Sequence, residues 1–173
     1  PIVPLALKGV PQNMINTSRK PKRAKVINLV VDVTVSWSTS VEQILEWGAK
    51  VVAKIMNLEK EGYRVRIEVV TTFIGDSFRR KAHAMKVLIK GENQPFDIKR
   101  MMFPIAHSAM LRRIGFDWYE RLPEAEYISG YGCSLIHHSR SHAEAVKKAL
   151  TDTANSYYIC NKEDINEVLK GVA

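Results

Sequence analysis

Cysteine is nearly absent: Cys133 and Cys160 are the only two in 173 residues. They show no metal-ligand or redox spacing, which excludes a disulfide scaffold and a cysteine-built zinc cluster. Each sits in or beside an apolar, strand-like run, so both read as buried thiols in a reducing compartment. No apolar run approaches the roughly 18 residues that span a bilayer, so no membrane segment is expected. The common nucleotide and hydrolase fingerprints are also missing: there is no G-x-G-x-x-G, no G-x-x-x-x-G-K-[ST] and no G-x-S-x-G. Nucleophilic catalysis therefore has no local signature, and GYG at 130–132 is too short to stand for a phosphate loop. Internal repeats and low-complexity tracts are absent as well.

What is present begins with an uneven charge. The net charge is +8, yet the first 25 residues hold Lys8, Arg19, Lys20, Lys22, Arg23 and Lys25 and no acid. The remainder is nearly balanced. Residues 1–24 also hold four of the seven prolines and show no sustained period, so they read as an extended basic arm. Residues 25–173 are long enough to bury one core and read as a single domain. The chain begins PIVPLALKG, without an initiator Met or a leader, and the expectation is a piece of a longer polypeptide. A basic arm can grip phosphate or serve as a solvated linker. This one has no aromatic residue to stack on bases.

In the body, VINLVVDV (26–33) is a continuous apolar, β-branched run, as expected of a strand buried on both faces. Ser40 and Gln43 form a capping box. The helix they open carries an apolar stripe of Val41, Ile44, Leu45, Gly48, Val51, Val52, Ile55 and Met56, with Gly62 as its stop. YRVRIEVVTTF (63–73) and HAMKVLIKG (83–91) are strands joined by a short turn, which predicts an antiparallel hairpin. Helical turns start at Asp97 and stop near Pro104. Residues 107–122 form a helix with Met110, Leu111, Ile114 and Trp118 inward, and WYE (118–120) is core-edge packing. EYISGYG is a short strand, Ser141 with Glu144 opens another helix, SYYIC is the last strand, and Asn161 caps a final helix. This order predicts a Rossmann-like, three-layer α/β/α sandwich, its mainly parallel central sheet carrying one antiparallel edge strand.

Ligands of open α/β sheets bind beyond the carboxyl ends of the strands. The sequence places Asp32, Thr34 and Ser36 there, with His107 and Ser108, then Ser129, and then His137, His138 and His142. Alternate strand residues point the same way, so one carboxylate and two hydroxyls can converge on a cation. The same residues can instead satisfy backbone groups where a strand turns into a helix. His137, His138 and His142 lack a zinc-ligand spacing and read as polar loop residues. Arg112 and Arg113 read as a solvated helix face, of interest for nucleic acid only if aligned with Arg19, Lys20, Lys22 and Arg23 of the arm.

INLVVDVTVSWSTS, followed by an amphipathic helix and YRVRIEVVTTF, resembles the opening of a von Willebrand factor A-like domain. In that family the first strand ends in D-x-S-x-S, whose acid and hydroxyls hold a divalent cation. The resemblance implies a Mg²⁺ site at Asp32, Thr34 and Ser36, with Ser108 replacing a distal Thr and a partner's acid completing the shell. The sequence departs from the family where a fourth strand brings a second Asp, since YISGYG offers Ser129 and no acid. GVPQNMINTSRKP, the long first helix and FPIAHSAMLRRIGFDWYE are also similar to a family of uncharacterised proteins from tailed bacteriophages. That resemblance implies viral origin and carries no assigned activity. The expected function is a non-enzymatic binding or assembly module with a protein partner, in the cytoplasm (the host's, if the chain is viral). Nucleic-acid binding through the arm is the alternative, and a metal-dependent hydrolase centred on Asp32 and the histidines is the second.

Overall fold

The run VINLVVD forms β1 (Val26–Asp32), an interior strand of a four-stranded sheet ordered β3-β2-β1-β4. Its partners are β2 (Arg64–Gly75), β3 (Lys81–Lys90) and β4 (Ser156–Ile159). β1 runs parallel to β2 on one side and to β4 on the other, while β3 pairs antiparallel with β2 at the edge. A strand flanked on both sides and covered on both faces needs apolar residues throughout, which explains the unbroken run. The computed structural model describes residues 7–8, 25–36, 38–75, 81–123 and 140–160. The rest of the basic arm, EYISGYG and the expected final helix lie outside them.

Alternation sorts the side chains between the two faces. Leu29 and Val31 of β1, with Ile67 and Val69 of β2, meet Val51, Val52 and Ile55 of α1 (Val41–Lys60) and Met101 and Ile105 of α2 (Ile98–Ala106). On the opposite face Val30, Val70 and Tyr158 cluster, and Leu150 of α4 (Arg140–Leu150) packs against them. α1 and α2 approach closely at Gly48, where a Cβ would sit 2.5 Å from Ala106 Cα. Both ends of α1 follow the sequence. Ser40 and Gln43 make the reciprocal capping box. At the other end Gly62 (φ 92°) bonds Glu59 O and Tyr63 bonds Leu58 O, both at 3.1 Å. The stripe itself shifts slightly: Val41 and Leu45 are about half exposed, and Leu58 is buried instead.

Two other expectations need correction. α2 does not stop at Pro104 but runs on to Ala106. Proline removes only one hydrogen bond in a last turn, and Pro104, Ile105 and Ala106 are all buried there. Residues 107–122 are not one regular helix either. Met110–Gly115 is a π-helix that continues into α3 (Phe116–Glu120). The wider turn holds an extra residue, so the inward face slips by one position. Gly115 and Tyr119 are buried, whereas Ile114 is 46% exposed. Tyr119 then lies 3.9 Å, centroid to centroid, from the Phe73 ring.

A β-bulge shapes the sheet edge. Ile67 pairs with Lys90 but Glu68 pairs with Leu88, leaving Ile89 as the extra residue. Both Ile89 and Lys90 consequently turn toward α1: Ile89 packs on the main core, and Lys90 Nζ donates to Glu59 Oε1 at 2.8 Å. Among the described residues no helix is long and apolar enough to cross a membrane.

Candidate binding rim

The chain leaves the sheet after Asp32, which is 3% exposed. Its Oδ1 accepts the Thr34 N–H at 2.8 Å in an Asx turn, and its Oδ2 accepts the Tyr158 hydroxyl of β4 at 2.6 Å. Burial pushes the Asp32 carboxyl above the ordinary carboxylate range; hydrogen bonds from Thr34 and Tyr158 pull the other way without cancelling it. Thr34 is buried too, and its Oγ1 accepts the Thr72 N–H of β2 at 2.9 Å. One residue earlier the Val33 N–H bonds Val70 O at 2.9 Å. The threonine hydroxyl thus replaces the next backbone acceptor as β1 peels away from β2. Ser36 is exposed and shares a hydrogen bond with Ser38 Oγ at 3.0 Å. The acid and the first hydroxyl lie together in the turn, and Ser36 lies apart at the surface.

A hard divalent cation takes about six or more oxygens, commonly several of them charged. Here one buried carboxyl already accepts through both oxygens, one hydroxyl is tied to β2, and one lies at the surface. This arrangement supplies only part of the shell that a Mg²⁺ would need. No three His, Cys, Asp or Glu side chains gather as a metal-holding group among the described residues. Beside β1, β4 supplies Tyr158 to the Asp32 carboxyl.

His107 is exposed; its Nδ1 accepts the Ala109 N–H at 3.1 Å and its ring stacks on Phe103, so it caps the turn that follows α2. Ser108 is half-buried just beyond it. Arg112 Nη2 donates to Thr39 O at 3.0 Å, and Arg113 is exposed. His142 falls in the first turn of α4, a helix that begins at Arg140 and so takes Ser141 inside it. Ser129, His137, His138, Arg19, Lys20, Lys22 and Arg23 lie outside the described residues.

The sequence reading missed a cavity. Beside Asp32, a space of ≈ 270 Å³ opens between the ends of β1 and β4 and the start of α1, lined by Val35, Thr39, Gln43, Ile44, Trp47 and Cys160. Trp47 Nε1 is buried with no hydrogen-bond partner among the described residues. Gln43 Oε1 is already used by the Ser40 N–H at 3.1 Å. The signal in the sequence was the helical spacing of Gln43 and Trp47. It points to a cavity only once the strand register is known.

The chain belongs to the DUF7192 family, a domain of unknown function, whose model matches residues 1–170. The match takes in the basic arm together with the α/β body. No curated protein and no solved structure matches the chain.

Proposed function

We propose that the chain is a non-enzymatic binding module that engages a protein partner at the rim where β1 and β4 end. The observation that carries this reading is the ≈ 270 Å³ cavity beside Asp32. It lies beyond the carboxyl ends of parallel strands, where open α/β sheets place their ligands. Its volume falls just below the roughly 300–1,000 Å³ of pockets that enclose small molecules. A space of that size takes one inserted side chain more readily than a nucleotide cofactor. Helices against both faces of a mostly parallel sheet also support the finer architecture, a three-layer von Willebrand A-like sandwich. Phage origin rests on the sequence resemblance. In the cation-bridged version, Asp32, Thr34, Ser36 and Ser108 hold Mg²⁺ for a partner's acid; the engaged oxygens of Asp32 and Thr34 favour direct contact instead.

Photo-crosslinking in an extract of the source cells tests the reading, with the reactive group at Thr39 on the rim or at Lys60 at the far end of α1. The expected result is a discrete adduct from Thr39 and none from Lys60. Excess unlabelled protein should compete the adduct away, and a folded Val35→Arg variant should not. Equal adducts from both positions, or equal competition by Val35→Arg, would overturn the rim as the interface. Loss of the adduct in EDTA would assign the cation-bridged version.

A further inference from the structure

Resting on the rim reading above, we propose that the cavity takes the last residue of a partner chain. Its apolar side chain enters between Val35, Ile44 and Trp47, and its terminal carboxylate stays beside the cavity with Arg112. Those three residues give apolar walls, and ≈ 270 Å³ suits one such side chain. Thr39 lines the same space, and the Arg112 guanidinium donates to its carbonyl at 3.0 Å. That hydrogen bond leaves the positive charge in place, next to the wall. A π-helical turn carries Arg112 there, and such turns are rare and frequent at functional sites. Gln43 and Thr39 add neutral donors to the wall: the capping box engages Gln43 Oε1 with the Ser40 N–H, which turns the amide N–H groups toward other partners. Among the described residues Asp32 is the one acid of the lining; burial favours its protonated form, and both oxygens accept hydrogen bonds, from Thr34 and Tyr158. Glu42 of the first turn of α1 does not line the space. The cation and the apolar space are thus adjacent but separate. A chain end carries an apolar side chain and a carboxylate on one carbon, which matches that pairing. An Asp or Glu side chain would bring the charge without the apolar group, and a carboxylate wholly inside would press on Asp32.

Backbone amide shifts of Thr39 and Ile44 in the ¹⁵N-labelled full chain read the binding of small chain-end mimics. N-acetyl-leucine should shift both saturably. N-acetyl-leucinamide, which lacks the charge, and N-acetylalanine, which lacks the filling side chain, should each bind about tenfold more weakly. In Arg112→Gln the acid should fall to the affinity of the amide, with the amide itself unchanged. Arg112→Lys keeps the charge without the planar fork and should lie between. Arg113→Gln makes the same charge change on the exposed neighbour and should leave the acid–amide difference intact. An amide as tight as the acid, or a difference that survives Arg112→Gln, would overturn the carboxylate and leave the rim site standing. N-acetylalanine as tight as N-acetyl-leucine would overturn the inserted side chain. No saturable shift from any of the three would overturn both the proposal and the cavity as the recognition site. The source is tested with N-acetyl-glycyl-glycyl-leucine, which should bind at least as tightly as N-acetyl-leucine because a chain end must tolerate the residues before it. Weaker binding of that peptide, or tighter binding of isocaproate than of N-acetyl-leucine, would assign a free small acid and overturn the partner chain.

Discussion

Replacing Lys90 by methionine removes one ammonium while keeping much of the side chain's apolar stem. Lys90 is 1% exposed, and its Nζ donates to Glu59 Oε1 at 2.8 Å, Val65 O at 2.7 Å and Gly91 O at 3.3 Å. Three segments meet at that atom: the end of α1, the start of β2 and the end of β3. Glu59 Oε1 also accepts the Val65 N–H at 2.9 Å, so the carboxylate remains when the lysine goes. Breaking a buried ion pair from one side costs about 3–5 kcal/mol, because the partner's charge stays uncompensated. The Glu59 side chain is 14% exposed and can draw some water, which places the expected loss near the lower end, about 3 kcal/mol. That is a large share of the roughly 5–15 kcal/mol by which domains are stable. It corresponds to a fall in Tm of about 6–12 °C. Urea denaturation followed by circular dichroism would show a lowered midpoint with an unchanged slope. Adding Glu59→Gln keeps an oxygen for the Val65 N–H and removes the stranded charge, so the double variant should recover at least half of the loss. A Lys90→Met loss under about 1 kcal/mol, or a double variant as unstable as the sum of the singles, would refute the pin.

Gly48→Ala should destabilise by about 1–3 kcal/mol despite alanine's better helix propensity, because its Cβ meets the Ala106 backbone; a gain in the urea midpoint would refute the close helix approach. Asp32→Asn tests the buried acid. Because the folded carboxyl lies above the ordinary range, the native state holds its proton more tightly than the unfolded chain. That contribution is fully present below the unfolded pKa and is lost as pH rises through the folded one. Asparagine keeps an oxygen for the Thr34 N–H but cannot accept the Tyr158 hydroxyl, so the variant should lose this pH dependence, and its deficit against wild type should shrink as pH rises. Urea midpoints taken from about pH 4 to pH 8 check it, and a deficit that grows toward the alkaline end would refute the burial argument.

Features governed by short-range rules were legible in the sequence. The Ser40–Gln43 box, the Gly62 stop and the β2–β3 hairpin each depend on residues a few positions apart, and the structure contains all three. Features settled by long-range register were not. The apolar pattern of 107–122 fits an inward face at Ile114 and Trp118 as well as one at Gly115 and Tyr119. Contacts with β2 bring Gly115 against Thr71 and Tyr119 against Phe73, while Trp118 keeps an edge contact with Phe73 and Ile114 turns outward. Lys90 reads as an ordinary lysine at a strand end until the bulge at Ile89 turns it inward. At the site, Asp32 and Thr34 were identifiable, but their partners Tyr158 and Thr72 lie 126 and 38 residues away. No local pattern announces such pairs.

The three polar residues that ended β1 so suggestively gain a different meaning from those partners. A cavity framed by the end of β1, the end of β4 and the start of α1 keeps its shape only if all three are fixed. β4 is four residues long and, among the described residues, pairs with β1 alone. The Tyr158 hydroxyl on Asp32 ties it at the rim, and Thr34 on Thr72 holds the departing end of β1 against β2. The capping box fixes the first turn of α1, and Arg112 on Thr39 O fixes the segment leading into it. A buried carboxyl is a costly way to end a strand. Here the one group both turns the chain out of the sheet and anchors β4, so its cost is set against the rigidity of the rim that borders the cavity.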